Sequence, residues 1–231
     1  MLGDDLGQLL GGRIPADHSR PVVADDYAAR LRASRVMDLG CGAGDSIDLF
    51  RAVDPDVSWV GVDIEQSPEV AGRTRADAEF VTFDGRRLPF EDESFDLVYC
   101  KQVLEHVEHP RDLIAEAVRV LKPGGHLAGS TSQLEAFHSF SIFNWTPYGF
   151  MRVAEDAGLE VIELRPVIDG FTLVAWRALG LPRFFYRWWA RESPPYRVME
   201  LAARAIRLDV RTRNQIKLVL SGQFAFLARR P

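Results

Sequence analysis

Brief apolar runs alternate with longer amphipathic stretches along most of the chain. Runs rich in Val, Leu, Ile and Phe are typical of buried strands, and stretches whose apolar positions lie three and four residues apart are typical of helices packed on a sheet. The pattern predicts strands at residues 34–39, 58–63, 79–83, 95–100, 126–130, 160–167 and 223–229. It predicts helices at residues 23–32, 46–53, 111–121 and 146–157.

This alternation determines the expected fold class. Strands separated by helices form βαβ units, which predict an α/β fold with a doubly wound, mostly parallel sheet and helices on both faces. Residues 171–215 interrupt the rhythm, because Pro182, Pro194 and Pro195 divide them into short helices. We therefore expect a helical leader at residues 1–34 and one domain at residues 35–231, which contains a helical insertion or lid at about residues 171–215.

Length and composition agree with a single elaborated domain. The 231 residues are 47% apolar and 26% charged, as in ordinary globular proteins. Cys41 and Cys100 are the only cysteines, and neither belongs to a Cys/His cluster, so no disulfide framework and no metal site is expected. The sequence shows no secretory signal and no apolar run of transmembrane length, so a cytoplasmic protein is expected.

A glycine-rich turn follows the first predicted strand. Residues 38–44 read DLGCGAG, and such glycines let the backbone turn tightly and approach a ligand closely. The spacing departs from the dinucleotide fingerprint G-x-G-x-x-G, because Gly44 comes one position early and Asp45 stands where that fingerprint has glycine. The carboxylate of Asp38 would repel a pyrophosphate but attract a cationic ligand such as S-adenosylmethionine, which carries an ammonium and a sulfonium.

Two further acids follow later strands. Asp63, at the end of the second strand, can accept hydrogen bonds from both hydroxyls of a ribose; dehydrogenases use the same device, so Asp63 alone does not separate the cofactor classes. Asp84 and Gly85 follow the third strand, where the carboxylate could accept from an adenine amino group while Leu88 packs on the ring. A simple turn is the alternative interpretation of this pair.

Together these runs resemble the class I S-adenosylmethionine-dependent methyltransferase family, particularly its quinone-biosynthesis branch. The resemblance covers roughly residues 35–130 in family order and spacing. It rests on DLGCGAG at 38–44, VGVD at 60–63, DGRRLPF at 84–90, SFDLV at 94–98, VLEHV at 103–107 and RVLKPGG at 119–125.

This resemblance implies a seven-stranded sheet whose last strand runs antiparallel, and S-adenosylmethionine as the cofactor. It places Gly40 and Gly42 near the methionine part of the cofactor, and the main chain of Lys101 near the methionine amino group. The expected cofactor-binding residues are Asp38, Gly40, Gly42, Gly44, Asp63, Ile64, Asp84, Gly85, Leu88 and Lys101.

Two histidines are candidates for removing a proton from the acceptor, whose site should follow the fourth and fifth strands. His106 stands in the Glu105-His106 pair after the fourth strand, and a capping or packing role is its alternative. His138 lies in the loop 133–145, which mixes polar groups that can aim at a substrate with aromatics that can cover it. Since histidine is a base near neutral pH, we expect His138 to assist deprotonation; a solvated loop histidine is the alternative.

Charge divides the chain unequally. Residues 1–170 carry a net charge of −14, whereas residues 171–231 hold 12 Lys and Arg against 3 acids, a net +9. On an α-helix, residues 183–191 (RFFYRWWAR) would align Arg183, Arg187 and Arg191 beside an aromatic face. A lid packed by aromatics is the leading interpretation; a pocket for an anionic substrate and, less favoured, peripheral contact with an anionic membrane are the alternatives. Nucleic acid is not expected as a partner, because the whole chain is acidic and lacks a nucleic-acid motif.

The leading hypothesis is an enzyme that methylates a small molecule by in-line transfer, with oxygen as the expected acceptor atom. The tetrapeptide Asn/Asp-Pro-Pro-Tyr/Phe, typical of many amino-group methyltransferases on nucleic acid and protein, is absent after the fourth strand. A non-catalytic cofactor-binding partner protein would carry the same glycine-rich turn. A nicotinamide-dependent oxidoreductase is less favoured, because Asp38 and Asp45 do not suit a pyrophosphate.

Overall fold

Seven strands form one sheet in the computed structural model, which describes residues 4–135, 138–189 and 191–231. The strands are β1 Arg35–Leu39, β2 Ser58–Ile64, β3 Glu79–Phe83, β4 Phe95–Lys101, β5 Leu121–Ser132, β6 Glu160–Pro166 and β7 Gln223–Arg229. Their order across the sheet is β3-β2-β1-β4-β5-β7-β6. Only β7 runs antiparallel to its neighbours, β5 and β6. The predicted doubly wound sheet with an antiparallel last strand is confirmed.

Among the described residues, two α-helices precede β1, and the others lie in connections between strands. The α-helices are α1 Asp4–Leu10, α2 Asp25–Leu31, α3 Ser46–Val53, α4 Pro68–Ala71, α5 Pro110–Val120, α6 Pro147–Asp156, α7 Gly170–Ala178, α8 Pro194–Ala205 and α9 Val210–Val219. Local sequence explains the bounds of α6 well. Thr146 caps its start by accepting the Gly149 N–H at 2.9 Å, and Gly158 follows its end with φ +96°.

Apolar side chains cover both faces of the sheet, because successive strand residues point to opposite sides. In β4, Val98 belongs to the core cluster on one face and Leu97 to the cluster on the other. The first face packs against α5 and α6, through Leu113, Ile114 and Phe150. The second packs against α2 and α3, through Tyr27, Ile47 and Phe50. The sheet is thus the middle layer of three, and the order of its strands reverses beside β1.

The segment between β6 and β7 contains α7, α8, α9 and a 3₁₀ helix, Arg183–Trp188. This 3₁₀ helix corrects one prediction. Residues three apart eclipse each other in a 3₁₀ helix, so Arg183 and Arg187 do not share the stripe that an α-helix would give them. Val198 and Leu201, large apolar residues of α8, are exposed to solvent. No helix in the described part of the chain combines the length and apolarity needed to cross a bilayer.

A buried polar network fixes these helices to the rest of the molecule. Lys217 of α9 is 1% exposed, and its Nζ donates to the Ser19 carbonyl at 2.6 Å. It also lies 2.5 Å from Glu192 and 3.0 Å from Glu200 of α8. Since a buried ammonium is costly without such partners, this network ties α8 and α9 to the segment that precedes α2.

Candidate cofactor and acceptor site

The glycine-rich turn after β1 folds against the end of β2. The Gly40 N–H donates to the Val62 carbonyl at 2.7 Å, and the Gly42 N–H donates to the Asp63 carboxylate at 2.7 Å. Gly40 has φ +71°, and a Cβ atom at this position would lie 2.3 Å from Cγ2 of Val103. Position 40 therefore requires glycine both for its backbone conformation and for the close approach of Val103, which follows β4.

A cavity of about 790 Å³ opens at the carboxyl ends of β1, β2, β3 and β4. This is the edge where ligands bind in open α/β sheets. Most of the predicted cofactor residues line it: Gly40, Gly42, Asp63, Ile64, Asp84, Gly85 and Lys101. Both candidate histidines, His106 and His138, line the same cavity. Residues that lie far apart in the sequence are thus brought to one site with a cofactor side and an acceptor side.

Asp38 lies just behind this cavity, at the end of β1. It is buried, accepts a hydrogen bond from the Ser46 hydroxyl, and lines a smaller cavity of about 240 Å³ with Asp25 and Lys101. Burial raises the pKa of Asp38 to about 7, and the neighbouring carboxylates of Asp63 and Asp25 act in the same direction. A cationic ligand in this cavity would favour the ionised form.

Asp63 and Asp84 hold the two turns that border the cavity. The Asp63 carboxylate accepts from the N–H groups of Gly42 and Ile64, the latter at 2.8 Å. The Asp84 carboxylate accepts from the N–H groups of Arg87 and Arg86 at 2.8 and 2.9 Å, which lowers the pKa of Asp84. Asp84 therefore forms the simple turn that was the alternative interpretation, and it lines the cavity as well.

Two predicted cofactor residues lie elsewhere. Leu88 is 1% exposed, belongs to the core and does not line the cavity, which corrects the prediction that it packs on an adenine ring. Gly44 also lies outside the lining. A Cβ atom on Gly44 would lie 2.7 Å from Cζ of Phe80, so this glycine serves the packing of the turn.

The acceptor side centres on His138. Its Nδ1 lies 3.1 Å from Oε2 of Glu135, which is buried. Burial by itself lowers the pKa of His138, but the carboxylates of Glu135 and Glu105 outweigh it and raise the pKa above its ordinary value. The rings of His106 and His138 are 5.1 Å apart between centroids. Ala136 and Phe137 of the same loop lie outside the described residues.

Glu135 is in turn held by a residue of the insertion. Its carboxylate accepts from Arg177 of α7 at 2.9 Å and from Gln223 of β7 at 2.8 Å. Although burial opposes ionisation, the hydrogen bonds from His138, Gln223 and Arg177 lower the pKa of Glu135 to about 2. Glu135 is therefore a fixed negative charge beside the histidine.

Among the described residues, Glu105, His106 and His138 place one ligand atom each within 4.8 Å of one another. A carboxylate and two imidazoles are a donor set that suits divalent transition metals. The sequence analysis expected no metal, and that expectation stays a prediction.

Sequence reasoning missed two residues of the site. Asp25 of α2 accepts from the Tyr99 hydroxyl and lies 2.6 Å from the Nζ atom of Lys101, at the methionine end expected for the cofactor. Gln102 lines the cavity with φ +57°, an uncommon conformation for a residue with a side chain. The position of Gln102 directly after a strand was a usable signal, whereas the contact of Asp25 depends on how the leader packs.

The site fits S-adenosylmethionine in its chemistry. A buried carboxylate, Asp38, faces a cavity that can take a cation, and Asp63 lies at the strand end where a ribose is expected. The turn at residues 40–42 brings main chain to the cavity wall. Lys101 places an ammonium on the wall of both cavities, where a carboxylate could bind.

Comparison with known proteins shows a resemblance to methyltransferases. Residues 37–129 match the family described as "Methyltransferase domain". The chain is 37% identical over 109 residues to the ubiquinone/menaquinone biosynthesis C-methyltransferase UbiE of Dinoroseobacter shibae, a match that covers 44% of each protein. It is 38% identical over 112 residues to the ubiquinone biosynthesis O-methyltransferase of Hahella chejuensis, with 46% of each covered. The chain thus spans less than half the length of the curated relatives that it matches.

Solved structures share the fold over nearly the whole chain. An S-adenosylmethionine-dependent methyltransferase from Aquifex aeolicus superposes with a TM-score of 0.55 at 13% identity and covers 98% of this chain and 99% of that one. The [4+2]-cyclase SpnF gives a TM-score of 0.55 at 20% identity, with coverages of 100% and 93%. At these identities the likeness concerns the fold alone.

The chain therefore matches a methyltransferase domain over residues 37–129, and its site fits S-adenosylmethionine. Its matched part resembles the quinone-biosynthesis methyltransferases. The predicted family resemblance is confirmed.

Proposed function

We propose that the chain transfers a methyl group from S-adenosylmethionine to an oxygen atom of a small-molecule acceptor, with residues 35–231 acting as one catalytic domain and α7 to α9 as its lid. The observation that supports this proposal is the single cavity lined by Gly40 and Asp63 on one side and by His138 on the other. A cofactor and an acceptor could meet there without crossing the core.

On the cofactor side, a few residues would bind the different parts of S-adenosylmethionine. Asp63 would accept the ribose hydroxyls, while Asp38 and Lys101 would hold the charged methionine end. Asp84 and Gly85 would border the adenine, with Ile64 beside them. When bound, S-adenosylmethionine supplies a methyl group on a sulfonium, a good leaving group for in-line displacement.

On the acceptor side, His138 would take the proton of the acceptor hydroxyl as the oxygen gains the methyl group. Glu135 holds one ring nitrogen, which leaves the other to face the acceptor. Phe140, which lines the cavity next to His138, would help to exclude water. His106 would assist in positioning the acceptor.

The choice of acceptor follows from three considerations. The relatives are named for ubiquinone biosynthesis, one as an O-methyltransferase and one as a C-methyltransferase, which supports a small-molecule acceptor. A base beside the cavity favours oxygen. The cation Arg86 in the lining suits an anionic acceptor. We also propose a cytoplasmic location, since the free, buried Cys41 and Cys100 suit a reducing compartment.

The first test is calorimetric titration with S-adenosylmethionine and S-adenosylhomocysteine, with NAD and NADP as controls. We expect binding to the first two alone, at one site per chain. Binding to the nicotinamide cofactors alone would contradict the assignment of the glycine-rich turn.

The second test screens anionic hydroxylated small molecules for methylated product by mass spectrometry, and then compares His138→Ala with His126→Ala. General base catalysis contributes about a hundredfold or more, so we expect His138→Ala to lower kcat by about that factor. His126 lies in β5 outside the cavity, and its loss should leave kcat nearly unchanged. Cofactor binding without any product would favour a non-catalytic binding protein, and full activity of His138→Ala would end the proposed base role.

A further inference from the structure

Several large apolar side chains are exposed in the segment that connects β6 to β7. Five of them are at least 65% exposed in the segment between β6 and β7: Phe171, Leu179, Val198, Leu201 and Ile206. Single exposed apolar residues are ordinary on protein surfaces, but a group of this size marks a binding surface.

Helix α8 exposes apolar side chains and buries polar ones, the reverse of a helix packed on a hydrophobic core. Val198, Leu201, Ala202 and Ala205 follow helical spacing on one side and are exposed. The buried side carries Tyr196 and Glu200. Glu200 accepts from the Ser19 hydroxyl at 3.0 Å and from Arg204 at 2.7 Å, and it pairs with Lys217. Because these polar contacts fix the inner face, the apolar face is directed to solvent.

Aromatic side chains extend this surface from α7 into the 3₁₀ helix. The Trp176 ring contacts those of Tyr186 and Trp189, with centroids 5.9 and 5.0 Å apart. The guanidinium of Arg187 lies 4.9 Å from the centre of the Trp188 ring. Tryptophan and tyrosine, each with an apolar body and a polar tip, are the residues that favour the boundary between water and lipid.

Positive charge surrounds the apolar residues. The exposed arginines of this segment are Arg183, Arg187, Arg191, Arg197, Arg204, Arg207 and Arg211, of which Arg204 pairs with Glu200. The net +9 of residues 171–231 contrasts with the −14 of residues 1–170. An anionic partner would be attracted to this side of the molecule and repelled from the rest.

We propose that this amphipathic face, formed by the exposed apolar residues and arginines of residues 171–211, binds the surface of an anionic lipid bilayer. An outward apolar helix face flanked by arginines is the arrangement of helices that lie in the interface plane. Each arginine near an anionic surface adds to the attraction. Helix α7, which carries part of this face, also reaches the acceptor side, because its Arg177 donates to Glu135 beside His138.

The test is flotation of the purified chain with phosphatidylcholine vesicles, with and without phosphatidylglycerol. We expect the wild-type protein to float with the anionic vesicles alone. The triple variant V198S/L201S/I206S should bind about tenfold more weakly or worse, because it lacks three exposed aliphatic side chains that the bilayer would bury. The triple variant R183Q/R187Q/R191Q should lose about a hundredfold in affinity for anionic vesicles.

Leu9→Ser is the matched control, because Leu9 is also exposed but lies on α1; this variant should float like the wild type. All substituted residues are at the surface, and circular dichroism checks that each variant is folded. Failure of the wild type to float with anionic vesicles, or equal flotation with neutral ones, would overturn the proposal. Sedimentation showing a dimer that V198S/L201S/I206S abolishes would instead assign the face to self-association. None of these readouts depends on methyl transfer.

Discussion

At the scale of single residues, the unusual group is the carboxyl of Asp38. It lies at the end of β1, buried, with Ser46 as its hydroxyl donor and two other carboxylates nearby. Keeping an ionised carboxylate there has a cost that a cation could offset. The ionised form of Asp38 is therefore more stable when a positively charged ligand is bound than when the site holds none.

We predict that the affinity for S-adenosylmethionine falls as the pH falls through about 7, the pKa to which burial raises Asp38. The cationic ligand binds the ionised carboxyl, so protons compete with it. For one such group the dissociation constant should rise about tenfold between pH 8 and pH 6. Calorimetric titration at several pH values measures this change.

Asp38→Asn should bind S-adenosylmethionine weakly, and its affinity should depend less on pH. Because the ligand titrates identically with both proteins, the difference between their pH profiles reports on Asp38 alone. Exposed Glu91 lies outside the cavity, so Glu91→Gln should retain the wild-type profile. An unchanged profile in Asp38→Asn would assign the pH dependence to another group.

Some site residues could be predicted from the sequence and others could not, for physical reasons. Asp63 and Asp84 directly follow strands, so parallel pairing alone brings them to one edge. Leu88 was misassigned, because the turn held by Asp84 directs that side chain into the core. Asp25 could not be found from local pattern, since tertiary packing places α2 beside Lys101.

At the scale of elements, helix α7 acts on the loop after β5 through one ion pair. Arg177 holds Glu135, and Glu135 lies beside His138. The protonation of the candidate base therefore depends on a helix outside the cofactor-binding half of the sheet.

We predict that two substitutions move the pKa of His138 in opposite directions. Glu135→Gln removes the carboxylate that favours the imidazolium, so the pKa should fall. Arg177→Met removes a cation that disfavours it, so the pKa should rise. An NMR titration of the His138 ring protons measures both without a substrate. Arg183→Met, the same change on the exposed 3₁₀ helix, should leave the titration unchanged, and shifts of the same sign in the first two would contradict the pairing.

Periodicity located the regular elements well and failed where tertiary contacts choose the geometry. Helix α3 and strands β3 and β7 have the bounds that their patterns predicted. The segment Arg183–Trp188 reads as an α-helix but forms a 3₁₀ helix between two prolines. The exposure of the apolar face of α8 was not predicted. It depends on the contacts of Glu200 with Lys217 and Ser19, which lie far from Glu200 in the sequence.

At the scale of the whole molecule, the network around Lys217 joins α8, α9 and the segment before α2. Although burial opposes its ionisation, contacts with Arg204, Lys217 and Ser19 lower the pKa of Glu200 to about 2 from 4.5. Glu200 therefore adds stability above pH 4.5, and this contribution is lost as the pH falls toward 2.

We predict that Glu200→Gln lowers the free energy of unfolding by about 2 to 3 kcal/mol at pH 7, because it removes one partner of a buried ammonium. Arg204→Ala is the control. Arg204 is mostly exposed, so its loss should cost less than about 1 kcal/mol. Urea unfolding followed by circular dichroism measures both, and equal costs would show that burial does not strengthen the Glu200 contacts. The difference between wild type and Glu200→Gln should shrink below pH 4.5.

The position of β7 has a consequence for how the chain folds. Strand β6 pairs with β7 and with no other strand among the described residues, and β7 also completes β5. During synthesis, β5 and β6 emerge before the strand that must enter between them. Until then each presents an unpaired edge, the kind that invites aggregation. Closure of the sheet is therefore a late, long-range step in the folding of this chain.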